Sequence, residues 1–218
     1  MPAWFNRLQI IDSTTISLFP NLIFKGVGRH PKTGKKKGGI KVHTNIHANE
    51  FVPSDIKFTS AATNDSFMLK PANYNDGDII AMDRAYIDYA RFEELTNRGV
   101  TYVTKMKKNL VYDTLSDTMY MLPCGLMECR VQVVEFRKHI KGGENIKHKA
   151  RIVTYVDPTK KKAKVISLLT NDMTMEVEDI IDIYRQRWEI ELLFKQLKQN
   201  FPLKYFYGES ANAIKIQI

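Results

Sequence analysis

Between Asp76 and Asn109 the chain changes its hydrophobic period twice, and that change restricts the fold more than any other stretch. Asp76-Gly-Asp-Ile-Ile-Ala-Met-Asp83 is an apolar run that ends in a carboxylate. From Tyr86 to Arg98 apolar residues recur at helical spacing, closing on Gly99, and Val100 to Asn109 returns to a strand pattern. A strand, a helix and a second strand joined this closely predict a right-handed crossover and a parallel pair, which places the chain in the α/β class.

The segments ahead of this unit are strands too. Leu8-Gln-Ile-Ile-Asp12 is a short apolar run that also ends in an aspartate and continues through Ser13-Thr14-Thr15. After a Gly-, Pro- and Lys-rich loop, Gly39 to His47 alternates Ile40, Val42, Thr44 and Ile46 against Lys41, His43, Asn45 and His47, the pattern of a half-buried strand. Phe51 to Thr59 follows as its antiparallel neighbour, so the opening is a three-strand meander. His43 and His47 lie about 13 Å apart along such a strand, too far to share one ion. They are expected on a polar sheet face or in contact with DNA, a direct catalytic role being the weaker alternative. Asn64 to Leu69 begins with capping residues and is expected to open a helix.

Beyond Leu110 short β-rich runs such as Val131 to Phe136 and Ala150 to Val156 are separated by the polar turn after Lys141. They read as an insertion of a few strands within one domain, giving a first core segment at 1–109, a β-rich insertion at 110–163, and a last strand plus helices at 164–218. Lys164 to Asn171 is that last strand, and Met175 to Asp182 leads into a helix.

That helix carries two faces. At about 100° per residue, Tyr184, Arg187, Glu191 and Lys198 fall within roughly 60° of one another and form a polar stripe. Ile183, Ile190, Leu193, Phe194 and Leu197 form an apolar stripe that should anchor the helix on a core and hold the polar stripe at its rim. Glu191 could ligate a metal ion while Arg187 and Lys198 hold phosphate oxygens; the competing reading is an ordinary solvated helix face.

Charge helps decide. The 218 residues carry a formal net charge of +9, which favours a polyanionic partner. Lysines cluster at Lys32 to Lys37, Lys105 to Lys108, Lys138 to Lys149 and Lys160 to Lys164. Separate basic loops suit a long, extended ligand such as a nucleic acid, and no amphipathic basic helix suits a membrane surface. The sequence has neither an apolar run near eighteen residues nor a charged-then-apolar leader, so an intracellular, cytoplasmic protein is expected. Cys124 and Cys129, without a second pair or a neighbouring His, are expected as reduced thiols.

Asp12 and Asp83 end comparable strands, and Glu191 lies on a helix that must pack on the sheet. If the strands are neighbours, the carboxylates meet at a sheet rim, where ligand crevices open. Their mutual repulsion would call for hard divalent cations, Mg²⁺ or Mn²⁺. Two such ions about 3.5–4 Å apart can activate a water or 3′-hydroxyl and stabilise the leaving oxygen in phosphoryl transfer. The alternative is that both aspartates are strand-end or capping residues.

The spacing Tyr184-x₂-Arg187-x₃-Glu191-x₆-Lys198 resembles the Tyr-Arg-Glu-Lys signature of DDE transposases of the insertion-sequence-four family. Asp83-Arg84-Ala85-Tyr86 resembles the family's Asp-Arg-Gly-Tyr segment, with Ala85 in place of glycine, and Ile11-Asp12-Ser13-Thr14 its first-aspartate strand. The resemblance implies an RNase H-like mixed sheet, an antiparallel three-strand meander plus parallel strands with flanking helices, and a β-rich insertion before the glutamate helix. It implies a catalytic, metal-binding set of Asp12, Asp83 and Glu191 holding two Mg²⁺ or Mn²⁺ ions. It implies DNA contacts by Tyr184, Arg187 and Lys198, by Arg84, and by Lys105, Lys107 and Asn109 at a basic strand end. Trp188 either packs in the core, which its angle from Glu191 favours, or stacks on a base flipped from the duplex, as an aromatic does in similar enzymes.

The implied activity is hydrolysis at transposon ends and strand transfer to target DNA by a bacterial, nucleoid-associated protein, homodimeric in its DNA complex. A non-catalytic DNA-binding remnant and an RNase H-like nuclease are the alternatives. Because the chain begins shortly before Asp12 and ends in the amphipathic run Asn212 to Ile218, a fragment or degenerate copy is expected.

Overall fold

Strand β1 (Leu8–Ser17) has an antiparallel neighbour on one side, β2 (Gly39–His47), and a parallel one on the other, β4 (Ile79–Met82), in the computed structural model. The structure describes residues 1–17, 39–50, 52–121, 128–139, 145–157, 164–200, 207 and 210–217. The basic loop Lys32 to Lys37, Phe51, Cys124, Lys141 and its turn, Lys160 to Lys162 and Ile218 lie outside these residues.

Outside β2 runs β3 (Pro53–Ser60), antiparallel, which completes the expected meander. On the other side β5 (Thr101–Lys105) pairs parallel with β4, as the change of period between Asp76 and Asn109 requires. The strands β6 (Asp113–Met121), β7 (Glu128–Lys138), β8 (Ile146–Asp157) and β9 (Lys164–Thr170) are antiparallel to one another and extend the same sheet through β9 against β5. Among the described residues the sheet has nine strands in the order β3-β2-β1-β4-β5-β9-β8-β7-β6.

Alternation along the strands builds a core on each face. Leu8 and Ile10 of β1, Ile79 and Ala81 of β4, Val103 of β5 and Ile166 and Leu168 of β9 pack against helix α2 (Val177–Asn200). Ile11, Ile80, Met82, Tyr102 and Leu169 turn the other way, onto Phe92 and Leu95 of helix α1 (Tyr89–Asn97). A third helix, α3 (Ala211–Gln217), lies near the end of the chain. Burying Ile180, Ile183, Ile190 and Phe194 stabilises the α2 docking by about 1.5–3 kcal/mol for each side chain.

Capping explains where the helices depart from expectation. The helix expected from Tyr86 is divided: Asp83 caps a single 3₁₀ turn at Arg84–Tyr86, and Asp88 then caps α1, accepting from the Ala90 N–H at 3.1 Å. Gly99 ends α1 with φ +70°, where an added Cβ would collide with the Asp76 carboxylate. Asn64 caps only one 3₁₀ turn, Asp65–Met68, rather than a longer helix.

Candidate active site

The pairing of β1 with β4 sets Ile11 opposite Met82, so the next residues, Asp12 and Asp83, step off the paired ends side by side. Parity puts both on the α2 face: Asp12 follows Leu8 and Ile10, and Asp83 follows Ile79 and Ala81. Asp12 Oδ1 accepts from the Ser13 N–H at 2.8 Å, and Asp83 Oδ1 accepts from the Ala85 N–H at 3.0 Å. Asp83 therefore does cap the turn that follows it, yet one oxygen suffices for that bond.

Helix α2 brings Glu191 to the same rim through Arg187. The Arg187 Nη1 donates to Asp12 Oδ2 at 3.3 Å and lies 2.7 Å from Glu191 Oε1, one helical turn further on. The Arg187 side chain is only 4% exposed, against 14% for Asp12 and 41% for Glu191. Its guanidinium carbon lies 5.3 Å from the ring centroids of both Tyr184 and Trp188. Burial opposes the charge on Arg187, but Tyr184, Glu191 and Asp12 more than offset it and hold its pKa above the ordinary arginine value. Burial likewise pushes Asp12 up to about 6, against the Ser13 N–H and Arg187, with Glu191 and Asp83 adding repulsion.

Glu191 separates two grooves. One, about 470 Å³, is lined by Asp12, Ser13, Glu191, Lys195 and Lys198. The other, about 530 Å³, runs from Asp83 and Glu191 past Arg84, Lys105 and Trp188 to Lys164 and Arg185. Lys105 and Lys164 share the α2 face by the same alternation, following Val103 and preceding Ile166. The Lys105 pKa is lowered by burial and by the nearby charges of Lys164, Arg84 and Arg187, which outweigh Asp83. This groove holds crowded positive charge beside the carboxylates, an arrangement suited to a phosphodiester backbone.

Several expected positions are moved by packing. Tyr184 and Arg187 are buried rather than set in a polar stripe at the rim, because the first two-thirds of α2 sinks onto the sheet. Its last turns stand clear of the sheet, leaving Lys198 exposed and Leu197 39% exposed instead of anchored. Trp188 is not a core residue: it is 49% exposed, in the wall of the second groove. His43 lies on a polar part of β2, as one reading expected, but it is fully buried rather than exposed, with Asp65 of the turn Asp65–Met68 beside it. Its Nε2 lies 2.7 Å from Thr59 Oγ1 and its Nδ1 3.8 Å from Asp65. His47 is half-buried. Arg84 is exposed on the second groove, whereas Lys107 and Asn109, half-buried and exposed, line neither groove. Cys129 is buried in β7.

The sequence marks Lys164 only as part of a basic run, and Arg185 not at all. One sits at the end of a lysine run and the other on a helix face that looks solvated, and only the strand parity and the turn of α2 bring them together.

In donor chemistry the three carboxylates fit a hard divalent cation: oxygen-only, partly buried and mutually repelling. Burial above all, with Glu191 and Asp83 beside it, holds the Asp12 pKa up, and a cation placed there would lower it. Among the described residues no three Asp, Glu, His or Cys side chains already form a cage, and the cation between Asp12 and Glu191 is Arg187.

The family model described as the transposase DDE domain matches residues 3–218. The chain is 26% identical over 97% of its length to a Sinorhizobium fredii protein named as putative transposase y4zB, covering 57% of that protein. It is 24% identical over 97% of its length to a Geobacillus stearothermophilus protein named as the probable transposase for insertion sequence element IS5377, covering 53% of it. It is 27% identical over 95% of its length to a Synechocystis protein named as the putative transposase for insertion sequence element IS4SA, covering 55% of it. The chain thus spans about half the length of the curated relatives it matches.

Proposed function

Because the chain belongs to the transposase DDE domain family, we propose that it is the catalytic core of a DNA transposase, with Asp12, Asp83 and Glu191 as its catalytic carboxylates. The activity is metal-dependent cleavage of the phosphodiester at a transposon end and joining of the freed 3′-hydroxyl to target DNA. The observation that carries this reading is the convergence of Asp12, Asp83 and Glu191 on one sheet rim, with Glu191 lining a groove with each aspartate.

The sheet order β3-β2-β1-β4-β5, with α1 and α2 on opposite faces, supports an RNase H-like core, and residues 110–163 are read as its β-rich insertion. The spacing of Tyr184, Arg187, Glu191 and Lys198 supports placement in the insertion-sequence-four family. Two Mg²⁺ or Mn²⁺ ions held by Asp12, Asp83 and Glu191 would supply activation of the attacking hydroxyl and neutralisation of the leaving oxygen. The protein's own cations do the rest. Lys198 and Lys195 line the groove on the Asp12 side, where they attract and orient backbone phosphates. Arg84, Lys105, Lys164 and Arg185 do the same beyond Asp83. Tyr184 packs beside Arg187 and fixes its approach, and the exposed Trp188 offers a stacking face to an unpaired base. Lys107 and Asn109, just past β5, are read as outlying backbone contacts. The DNA complex is read as a homodimer.

The test is Mg²⁺-dependent nicking of a labelled transposon-end duplex by this chain and by Glu191→Gln. Nicking by the wild type alone, resistant to unrelated competitor DNA, is the expected result. Binding without metal-dependent nicking would reduce the protein to a DNA-binding remnant, and nicking of any duplex or hybrid alike would make it a general nuclease.

A further inference from the structure

Arg187 stands where the proposed metal ligands most need a positive charge. A single nitrogen, Nη1, serves Asp12 Oδ2 at 3.3 Å and Glu191 Oε1 at 2.7 Å. These two carboxylates belong to a strand and a helix far apart in the chain, and Arg187 is the described cation that touches both. With 4% of its side chain exposed, it is screened far less than a surface ion pair. It also lies beside both the Tyr184 and Trp188 rings.

We propose that Arg187 is a positioning residue that acts as the built-in counter-cation of the metal-free site and competes with divalent cations for the oxygens of Asp12 and Glu191. This rests on the reading of Asp12, Asp83 and Glu191 as metal ligands. An oxygen that accepts from Nη1 has a lone pair committed to the guanidinium. A divalent cation on the same carboxylates would share them with the guanidinium and meet its positive charge, so it binds more weakly unless Arg187 gives up a partner. Arg187 thus keeps the carboxylates aligned and the metal-free fold neutralised, at the cost of weaker metal binding.

The test is Mn²⁺ binding to the full chain without DNA, followed by electron paramagnetic resonance of the free ion, with unfolding temperatures recorded in chelator and in Mn²⁺. A hydrogen bond to a charged group of this kind has a net effect worth roughly a factor of ten in an equilibrium constant. Arg187→Gln is therefore expected to bind Mn²⁺ about tenfold more tightly than wild type, to unfold at a lower temperature in chelator, and to gain more from Mn²⁺. Arg187→Lys, whose ammonium lacks the planar fork, is expected to bind with intermediate affinity, and it stands in should the glutamine variant fail to fold in chelator. Equal or weaker Mn²⁺ binding by both variants, with binding lost in Glu191→Gln, would overturn the competition while leaving the metal site. Absence of binding in every protein, or binding equal in Glu191→Gln, would overturn the metal site and the competition together.

Discussion

Asp12, within β1, and Asp83, just past β4, stand at the same level, one residue beyond the Ile11–Met82 pair, and both point to the face covered by α2. Neither strand alone fixes this. The β1–β4 register does, and it depends on the apolar alternation that buries Ile10 and Ala81 on one face and Ile11 and Met82 on the other. A slip of one residue would turn one aspartate into the opposite core.

Burial of Asp12 makes the stability of the fold sensitive to pH. Its pKa, raised to about 6 chiefly by burial, exceeds the ordinary aspartate value of 3.8. The stability this group contributes is fully present below about pH 4 and is lost as pH rises through about 6. A shift of this size corresponds to at most about 3 kcal/mol, reduced in Asp12→Asn by the loss of a partner for Arg187. In chelator, Asp12→Asn is expected to gain stability relative to wild type between pH 4 and pH 8, measured by urea unfolding. A difference that does not change with pH would contradict it.

A second, oppositely signed dependence lies on the α1 face. His148 is fully buried, with Nε2 2.7 Å from the Tyr102 hydroxyl and Nδ1 2.8 Å from Glu93 Oε2. Burial lowers its pKa in spite of Glu93, so its contribution is present above about pH 6.5 and is lost as pH falls. His148→Phe is expected to flatten the fall in stability between pH 7 and pH 5, read by thermal unfolding in parallel with wild type. An unchanged profile would remove His148 from the acid response.

Trp188 separates packing from recognition. At 49% exposure, Trp188→Ala should cost about 1 kcal/mol or less, whereas Phe92→Ala in the α1 core should cost about 3–5 kcal/mol. The same Trp188→Ala change is expected to weaken binding of a duplex with an unpaired terminal base by about 1–3 kcal/mol. A large stability loss with unchanged DNA affinity would return Trp188 to the core.

Lys164 and Arg185 are expected to contact DNA although no sequence motif marks them. Changing either to Ala should lower the slope of log affinity against log salt by about 1, since each lost phosphate contact removes counterion release. Slopes equal to wild type for both Lys164 and Arg185 would place the DNA elsewhere.

Much of this was legible in the residues. The end of β4 before Asp83 follows from its short apolar run and the parallel pair from the change of period around Tyr86, but Asp12, expected at a strand end, lies inside β1, which runs on to Ser17 against β2. The helix spacing linked Arg187 to Glu191. Burial was harder to read, because periodicity gives the angle of a side chain and not the depth to which its helix sinks. Tyr184 and Arg187 share a polar stripe with Lys198 in angle, yet they lie against the sheet while Lys198 lies beyond it. His43 looked like a surface residue because the turn that covers it, Asp65–Met68, comes from a later part of the chain. Lys164 and Arg185 needed the pairing of β9 with β5 and β8, a long-range fact that no local pattern contains.

The most direct measurement is single-turnover cleavage of a transposon-end duplex by wild type, Asp12→Asn, Asp83→Asn and Glu191→Gln, in Mg²⁺ and in chelator, with DNA affinity measured alongside. The expected result is cleavage only by wild type in Mg²⁺, each substitution lowering the rate at least about a hundredfold while the DNA still binds. Wild-type cleavage by any one of the three variants would contradict a shared site at Asp12, Asp83 and Glu191.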